Sequence, residues 1–405
     1  MKRIGILKNT VQEYDWGSRT AIPELLGETS PSERPQAELW MGAHPKAPSM
    51  VEIDGKWVSL PELLEKNPEP ILGKAVAEKF KNKLPYLFKV LAVAKPLSIQ
   101  AHPGKNQAIL GFEREDRLGI SQGASNRNYK DDNHKPECIC ALTPFWALNG
   151  FRRISELLSL MEKIGPKELK SDLDTLRKAQ DSNGLKRFIR VLMTMNPDRQ
   201  KQIIADAAKN AEHFSKNDPA FKWMIRLYNA YPLDVGIFFP LILNMVCLEP
   251  GQAMFLPSGE LHAYLDGVGI ELMANSDNVL RGGLTPKHVD VPELLNVLNF
   301  EERRVDILSA DKVNECEYQY PTQAEEFVLS VMDIKERTSC KSATRRSIEI
   351  LLCTEGTAVV GQVDGNDKII MNKGTSIIVP AAVKRYRIEG VATLYKASVP
   401  TGGMV

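Results

Sequence analysis

The sequence lacks several features that would each define a class of function. It has 52 Lys and Arg against 51 Asp and Glu, a net charge of +1, so no positive excess can bind nucleic acid or an anionic membrane. The longest apolar run, residues 235–248, falls short of the roughly 20 residues of a membrane helix. A phosphate-binding loop of the G-x-x-x-x-G-K-[ST] type is absent. We therefore expect a globular protein with a small-molecule partner, and no nucleotide cofactor, nucleic acid or membrane.

Cysteine is scarce and shows no pattern. The six residues include no C-x-x-C pair, which suggests neither a thiolate zinc site nor a disulfide framework. The apolar patch within residues 1–8 is too short for the core of a signal peptide. The sequence therefore predicts reduced thiols and a cytoplasmic location.

The spacing of apolar residues changes twice along the chain. Up to about residue 150, short apolar runs among prolines and glycines predict strands and loops. Between Ile154 and Tyr231 apolar residues recur at helical spacing, and Gly165-Pro166 is expected to end the first helix. From residue 235 to the C-terminus the pattern again indicates strands. Residues 235–248 are predicted to form a core strand. The pattern predicts two β-rich parts separated by about 80 helical residues.

A short internal repeat gives a more specific indication of the fold. Residues 251–257 and 374–380 each begin with a glycine and end with a proline, and His262 and Arg385 follow the two prolines by five residues. This pattern resembles the second signature of the cupin family, whose histidine binds a metal in a small β-barrel. Two unrelated β-turns are the alternative. Arginine has no lone pair for a cation, so the second copy is predicted to be a cupin domain without metal.

Polar residues on one strand face predict a metal site. Ser98, Gln100 and His102 alternate with aliphatic residues, so in a strand they share one face, and a metal ion would satisfy that face when buried. Glu137 stands before an apolar strand, and His262 comes from the repeat. Two imidazoles, one carboxylate and one amide oxygen suit Zn²⁺. We predict one zinc ion per chain held by Gln100, His102, Glu137 and His262; for each histidine alone, a satisfied or exposed side chain is the alternative.

Longer motifs resemble the type I mannose-6-phosphate isomerases, also called phosphomannose isomerases. The matching segments occur in family order and are YDWG at 14–17, AELWMGAHP at 37–45, LSIQAHP at 97–103, DNHKPE at 132–137 and MANSDNVLRGGLTPK at 273–287. The resemblance implies a mainly β fold with inserted α structure. A zinc-binding cupin (jelly-roll) catalytic domain would comprise residues 1–150 and 235–310, an inserted helical domain residues 151–234, and a second, metal-free cupin-like domain residues 311–405.

The resemblance also implies a reaction, the interconversion of mannose 6-phosphate and fructose 6-phosphate. A proton would move between C1 and C2 through an enediol, which requires a base, an electrophile and a phosphate anchor. Lys135 and Arg281 lie in the matched motifs, and arginine suits a developing oxyanion or a phosphate. The candidate bases are Asp277, Glu271 and His134, and the sequence does not rank them.

Five further residues are implied to contact the substrate. Lys89, Ser98 and Lys287 would hold the phosphate, and Trp16 and Glu38 would line the pocket. A solvated surface charge is the alternative for each lysine and arginine, and orienting Arg281 or capping a turn is the alternative for Glu271 and Asp277. Core packing is the alternative for Trp16. Two rival functions are a non-haem iron oxidoreductase, disfavoured by Gln100 as a fourth protein ligand, and a non-catalytic sugar-binding cupin. The sequence leaves the oligomeric state open.

Overall fold

Antiparallel β-sheet dominates the computed structural model, which describes residues 1–165, 167–365 and 367–401. Pro166, predicted to help end a helix, and residues 402–405 of the predicted C-terminal domain lie outside the described residues. The strands of the described residues are, in chain order, β1 (Gly5–Lys8), β2 (Thr10–Gln12), β3 (Glu38–Gly42), β4 (Met50–Ile53), β5 (Lys56–Ser59), β6 (Tyr86–Val93), β7 (Ile99–Ala101), β8 (Glu137–Ala141), β9 (Phe145–Phe151), β10 (Leu243–Leu248), β11 (Ala253–Leu256), β12 (His262–Ala274), β13 (Leu280–Gly283), β14 (Asp311–Lys312), β15 (Glu317–Gln319), β16 (Val328–Ile334), β17 (Ser339–Lys341), β18 (Glu349–Gln362), β19 (Lys368–Asn372), β20 (Ser376–Val379) and β21 (Tyr386–Ser398).

Helices cover the middle of the chain and parts of its N-terminal region. The α-helices of the described residues are α1 (Ala21–Leu26), α2 (Leu60–Lys66), α3 (Pro68–Leu72), α4 (Lys74–Lys79), α5 (Lys105–Arg117), α6 (Ile154–Ile164), α7 (Lys170–Lys178), α8 (Ser182–Met193), α9 (Pro197–Ala211), α10 (Pro219–Ala230), α11 (Phe239–Ile242) and α12 (Val291–Val297). Short 3₁₀ turns are formed by Lys167–Leu169 and Val235–Phe238. None of these helices is long and apolar enough to cross a membrane.

The strands form two large sheets. One has the order β10-β9-β12-β6-β3-β2, with β7, β8, β11 and β13 attached through β12 or through one another, and it carries the candidate site. The other has the order β14-β15-β16-β21-β18-β20-β1-β4-β5, with β17 beside β21 and β19 beside β18. Each half of the predicted repeat contains a strand, β11 or β20, that is followed directly by its proline. A mainly β architecture is therefore confirmed, while the division into three domains stays a prediction.

The N-terminal strand belongs to the sheet of the C-terminal region. In β1, Gly5 pairs with Ile378 and Ile6 with Ile377 of β20, and the other side of β1 pairs with β4. Leu7 is buried, and a side chain at Gly5 would come within 2.7 Å of Met1 and Val51 atoms. Close packing therefore holds β1 between two strands that lie far apart in the sequence.

Three sequence expectations need correction. The N-terminal 150 residues hold helices as well as strands and loops; α5 was missed because its buried face is Ala108, Gly111 and Glu115, which gives almost no apolar period. Residues 235–242 form a 3₁₀ turn and a short helix rather than the start of a strand. They are uniformly apolar because they are buried on all sides, and such a run carries no periodic signal. Only residues 243–248 are strand.

The third correction concerns the thiols. Cys316 and Cys340 form a disulfide, with their Cα atoms 6.1 Å apart, whereas the sequence predicts reduced cysteines. The sheet order β15-β16-β21-β17 brings the two residues into one buried cluster although 24 positions separate them. Spacing along the sequence gives no sign of this pairing. The other four cysteines are free.

Candidate metal centre and catalytic site

Three strand ends meet at the candidate metal site. Glu137 begins β8, His262 begins β12, and His102 directly follows β7. Both β7 and β8 pair with β12, so the sheet brings these residues together from distant parts of the sequence. Their ligand atoms all lie within 4.8 Å of one another, and all three side chains are buried. This confirms that the chain has a residue group able to hold a metal ion.

The hydrogen bonds of the histidines leave the metal-facing nitrogens free. The Nδ1 atom of His102 lies 2.7 Å from the Asn278 carbonyl oxygen, and that of His262 lies 2.9 Å from the Glu260 carbonyl oxygen. A carbonyl only accepts, so each Nδ1 carries the proton and each Nε2 presents a lone pair. Both Nε2 atoms are buried without a hydrogen-bond partner, 3.2 Å and 3.5 Å from the oxygens of Glu137. Such an arrangement fits a cation between them.

Electrostatics keep His102 and Glu137 in their ligating forms. Burial, and then the nearby Lys135, lower the pKa of His102 to about 4, so its ring is neutral at pH 7. Burial pushes the pKa of Glu137 up, but Lys135 and the histidines outweigh it and hold the pKa well below its usual range. The Lys135 Nζ atom is 3.0 Å from Glu137 Oε1. The neutral imidazole of His102 and the ionised carboxylate of Glu137 are the forms that bind zinc.

Gln100 occupies the expected place in the sheet. It is half-buried on β7, opposite His262 on one side and opposite Arg281 on the other. Its role as a fourth ligand stays a prediction. Ser98, half-buried, lies just before the same strand.

Lys89, predicted to hold the phosphate, lies in a buried ionic cluster, and its role in phosphate binding stays a prediction. Its Nζ atom is 3.0 Å from Glu271 Oε2 and 3.3 Å from Glu38 Oε2, with all three side chains close to fully buried. Trp40 Nε1 donates to the same Glu38 oxygen at 2.5 Å. Burial disfavours the charged lysine, but the two carboxylates outweigh it and raise the pKa of Lys89. Burial is the main cause that raises the pKa of Glu271.

A group of positive charges stands without carboxylate partners. Arg281 is half-buried, its guanidinium makes no hydrogen bond or ion pair with any described residue, and burial lowers its pKa. Burial also lowers the pKa of the exposed Lys287, with a smaller contribution from Arg281. Burial lowers the pKa of Lys130 too; Glu115 opposes this effect, and Arg281 is among the cations that add to it. Such a group is suited to an anionic ligand.

Two of the predicted bases are engaged elsewhere. Asp277 accepts from Lys46 at 2.8 Å and lies 3.4 Å from His44 Nε2; these contacts outweigh burial and lower its pKa. His134 has its Nε2 atom 2.6 Å from Glu326 Oε1, which belongs to the C-terminal region. Of the two candidate carboxylates, Glu271 has a raised pKa and Asp277 a lowered one.

Trp16 packs against both an aromatic ring and the core. Its ring stacks on Tyr14 with centroids 5.9 Å apart, and it covers a buried cluster that includes Leu91 and Tyr264. The arrangement fits the core-packing alternative as well as a pocket wall.

Sequence reasoning missed several residues at the site. Tyr14 is partly exposed, and its pKa is raised by burial and then by Glu38, which places it beside the Lys89 cluster. Asn278 is fully buried and supplies the carbonyl that orients His102. Both residues lie in motifs that carry the family resemblance. Their place in these motifs was the only sign in the sequence that they belong to the site. A cavity of about 850 Å³ shares Asp277 with the site but none of the metal ligands.

The mainly β fold and the buried histidine–glutamate–histidine group at the strand ends place this chain in a class, the metal-binding proteins of the cupin type. Residues 4–154 match the family "Phosphomannose isomerase type I, catalytic domain", and residues 317–399 match "Mannose-6-phosphate isomerase, cupin domain". The chain is 41% identical to mannose-6-phosphate isomerase of Escherichia coli (strain K12) over 388 residues, which is 95% of this chain and 96% of that protein. It is 33% identical to mannose-6-phosphate isomerase 1 of Arabidopsis thaliana over 423 residues, covering 98% and 94%. The chain belongs to the type I phosphomannose isomerase family.

Solved structures agree with this assignment. The mannose 6-phosphate isomerase of Salmonella typhimurium bound to substrate fructose 6-phosphate and zinc matches with a TM-score of 0.90 and 38% identity, covering 98% of this chain and 99% of that one. A mannose 6-phosphate isomerase bound with zinc and yttrium matches with the same TM-score, identity and coverage.

Proposed function

We propose that this protein is a zinc-dependent aldose–ketose isomerase that interconverts mannose 6-phosphate and fructose 6-phosphate. The observation that carries the proposal is the pair of buried, unpartnered Nε2 atoms of His102 and His262 facing Glu137. The activity for which the relatives are named, and the substrate and zinc bound by the Salmonella protein, support the same conclusion.

In this proposal Gln100, His102, Glu137 and His262 hold the ion. Zinc bound there supplies a Lewis acid that polarises or orients the sugar oxygens. Lys135 holds Glu137 in its ionised form through the contact of 3.0 Å.

We assign proton transfer between C1 and C2 to Glu271. A base works best when its pKa lies near the working pH, and burial moves the pKa of Glu271 upward, toward that range. Lys89 holds the Glu271 carboxylate in place, so we propose this orienting role for Lys89 in place of phosphate binding. Asp277, whose pKa is lowered by its partners, is a weaker base.

The free positive charges would bind the other end of the substrate. Arg281 is proposed to stabilise charge that develops on the sugar oxygens, and Lys287 with Ser98 to hold the phosphate. Glu38 and Trp16 would form the pocket wall. The cytoplasmic location stays a prediction.

The test is a coupled assay of mannose 6-phosphate turnover before and after chelation. We expect activity in the zinc-loaded protein, loss on chelation and recovery when Zn²⁺ is added back. Absence of turnover in protein that holds one equivalent of zinc, or full turnover in metal-free protein, would contradict the proposal. Oxygen uptake by a ferrous sample would point instead to an oxidoreductase.

A further inference from the structure

A segment of the C-terminal region, residues 320–327, is fastened to the sheet that carries the metal site. The Tyr320 hydroxyl donates to the Gly251 carbonyl oxygen at 2.8 Å, and Cys140 Sγ lies 3.1 Å from the same hydroxyl. Phe327, at the other end of the segment, is fully buried in a cluster that includes Phe88 of β6. The segment is thus fixed at both ends against the catalytic sheet.

Glu326 lies beside this buried ring and faces the catalytic half. The residue is 7% exposed, and its Oε1 atom is 2.6 Å from His134 Nε2, while Oε2 is buried without a partner. A buried carboxylate is costly unless it is paired. Burial pushes the pKa of Glu326 up, but the contact with His134 outweighs it and lowers the pKa. His134 is therefore the group that makes a carboxylate stable at this place.

His134 stands inside the segment that reaches the metal site. On one side, the Asn133 carbonyl accepts from Asn278 Nδ2 at 2.8 Å. On the other side, Lys135 contacts Glu137 at 3.0 Å. The segment is thus held by a hydrogen bond on one side of His134 and has an ion pair on the other, and the His134 ring between them is held from the C-terminal region.

We propose that Glu326 is a positioning residue of the catalytic site, which fixes His134 and through it the segment carrying Lys135 and Glu137. The inference rests on the proposed function. It gives the C-terminal domain a role in the reaction, because no described residue of the catalytic sheet replaces the Glu326 carboxylate at His134 Nε2. Loss of this contact frees the ring, and small displacements of groups around a reacting substrate have large effects on rate.

The experiment compares Glu326→Ala and Glu326→Gln with Glu325→Ala. Glu325 is the matched control because it is the next residue and makes an exposed ion pair with Lys79 at 3.0 Å. We expect Glu326→Ala to lower kcat about tenfold with KM changed less than about twofold. The amide of Glu326→Gln still accepts a hydrogen bond and should recover part of kcat, and Glu325→Ala should match the wild type.

A double-mutant cycle with His134→Asn tests whether Glu326 acts through His134. In the His134→Asn background, Glu326→Ala should have almost no further effect on kcat. Equal losses in both backgrounds, or an unchanged kcat in Glu326→Ala and Glu326→Gln, would overturn the proposal. A lower Tm with unchanged kcat per folded molecule would show a purely structural role and would overturn it too.

A second readout separates this proposal from the proposed function. The visible absorption spectrum of the Co²⁺-substituted protein reports the arrangement of the ligands whether or not the sugar phosphate turns over. We expect the spectrum to change in Glu326→Ala and to stay as in the wild type in Glu325→Ala. If the zinc-loaded wild type fails to isomerise mannose 6-phosphate, the proposed function is wrong. The cobalt spectra then still decide whether Glu326 positions the site, since identical spectra in all variants would contradict it.

Discussion

Lys89 and Glu271 are directly opposite residues of the paired strands β6 and β12, and their Nζ and Oε2 atoms lie 3.0 Å apart in the core of the site. Glu38 approaches the same ammonium from β3 at 3.3 Å. One positive charge therefore serves two carboxylates, and burial raises the pKa of Glu271. The sheet register itself builds the environment that suits Glu271 as a base.

Lys89→Met should strongly destabilise the protein. The change leaves two carboxylates buried without a counter-charge, and breaking a buried pair in this way costs about 3–5 kcal/mol. The free energy of unfolding, measured with urea, checks this. Lys79→Met, which removes the largely exposed pair with Glu325, is the control and should cost no more than about 1 kcal/mol. If Lys89→Met lowers the free energy of unfolding by less than Lys79→Met does, the stabilising role of the ionic cluster is contradicted.

The protein should bind one equivalent of zinc per chain. His102→Ala and His262→Ala should each lose the ion and the activity, because each removes a buried Nε2 ligand. His213→Ala, an exposed histidine of the helical region, should keep both. The C-terminal counterpart of His262 is Arg385, which is exposed and donates to Thr344, so no second ion is expected. Elemental analysis that finds two equivalents after dialysis would refute the assignment.

Arg281→Ala should lower kcat far more than it raises KM. A guanidinium without a protein partner is free to stabilise charge on the sugar oxygens, and loss of one such donor costs about 10²–10³ in rate. Arg281→Lys keeps the charge but not the planar fork and should be intermediate. Steady-state kinetics on zinc-loaded variants checks this, with the exposed Arg304→Ala as control. A large rise in KM with little change in kcat would indicate phosphate binding instead.

Asp277→Asn should destabilise the protein in a pH-dependent way. The contacts with His44 and Lys46 outweigh burial and lower the pKa of Asp277 below its unfolded value of about 3.9. Its contribution is therefore complete above the unfolded value and is lost as the pH falls toward the folded pKa. Because Lys46 is exposed, we expect a difference of only about 1 kcal/mol at pH 7. The difference in the free energy of unfolding between Asp277→Asn and the wild type should be smaller at pH 3 than at pH 7. Asp132→Asn, a change at an exposed position, should show no difference at either pH.

Asn278→Ala should weaken both the fold and the metal site. Its amide accepts from the Lys130 backbone at 2.6 Å and donates to the carbonyls of Asp131 and Asn133 at 2.8 Å. Leaving these groups unpaired costs about 3 kcal/mol. Displacement of the backbone that orients His102 should reduce zinc affinity about 10–100-fold. Chelator competition measures the affinity, and Asp132→Ala, a change at an exposed position of the neighbouring loop, should leave it unchanged.

The sequence predicts those parts of the site that depend on local pattern. Gln100 and His102 lie on one strand face, and His262 follows a recognisable glycine–proline repeat, so local spacing is enough to propose them as ligands. The contact of Lys89 with Glu271 could not be predicted, because it depends on a strand register between residues 182 positions apart. The partner of His134 was unpredictable for the same reason, since Glu326 lies 192 positions further along the chain.

The fold shows the same division between local and distant information. The helices around residues 154–164, 182–193 and 219–230 follow from their apolar spacing. Helix α5 was not predicted because its buried face contains a glycine and a glutamate. Glu115 can be buried because its carboxylate accepts hydrogen bonds from the backbone N–H groups of Asn128 and Tyr129. The Cys316–Cys340 pairing depends on the order of strands in a sheet, which single residues do not encode.

The pairing of β1 with β20 has a consequence for biosynthesis. The ribosome makes residues 5–8 long before their partners at 376–379. Until then β4 is the only partner of β1 in the sheet that has been made, and the other edge of β1 lacks β20. Long-range pairing of this kind slows folding. The nascent chain therefore carries an open strand edge until β20 is made, a state that a chaperone could protect.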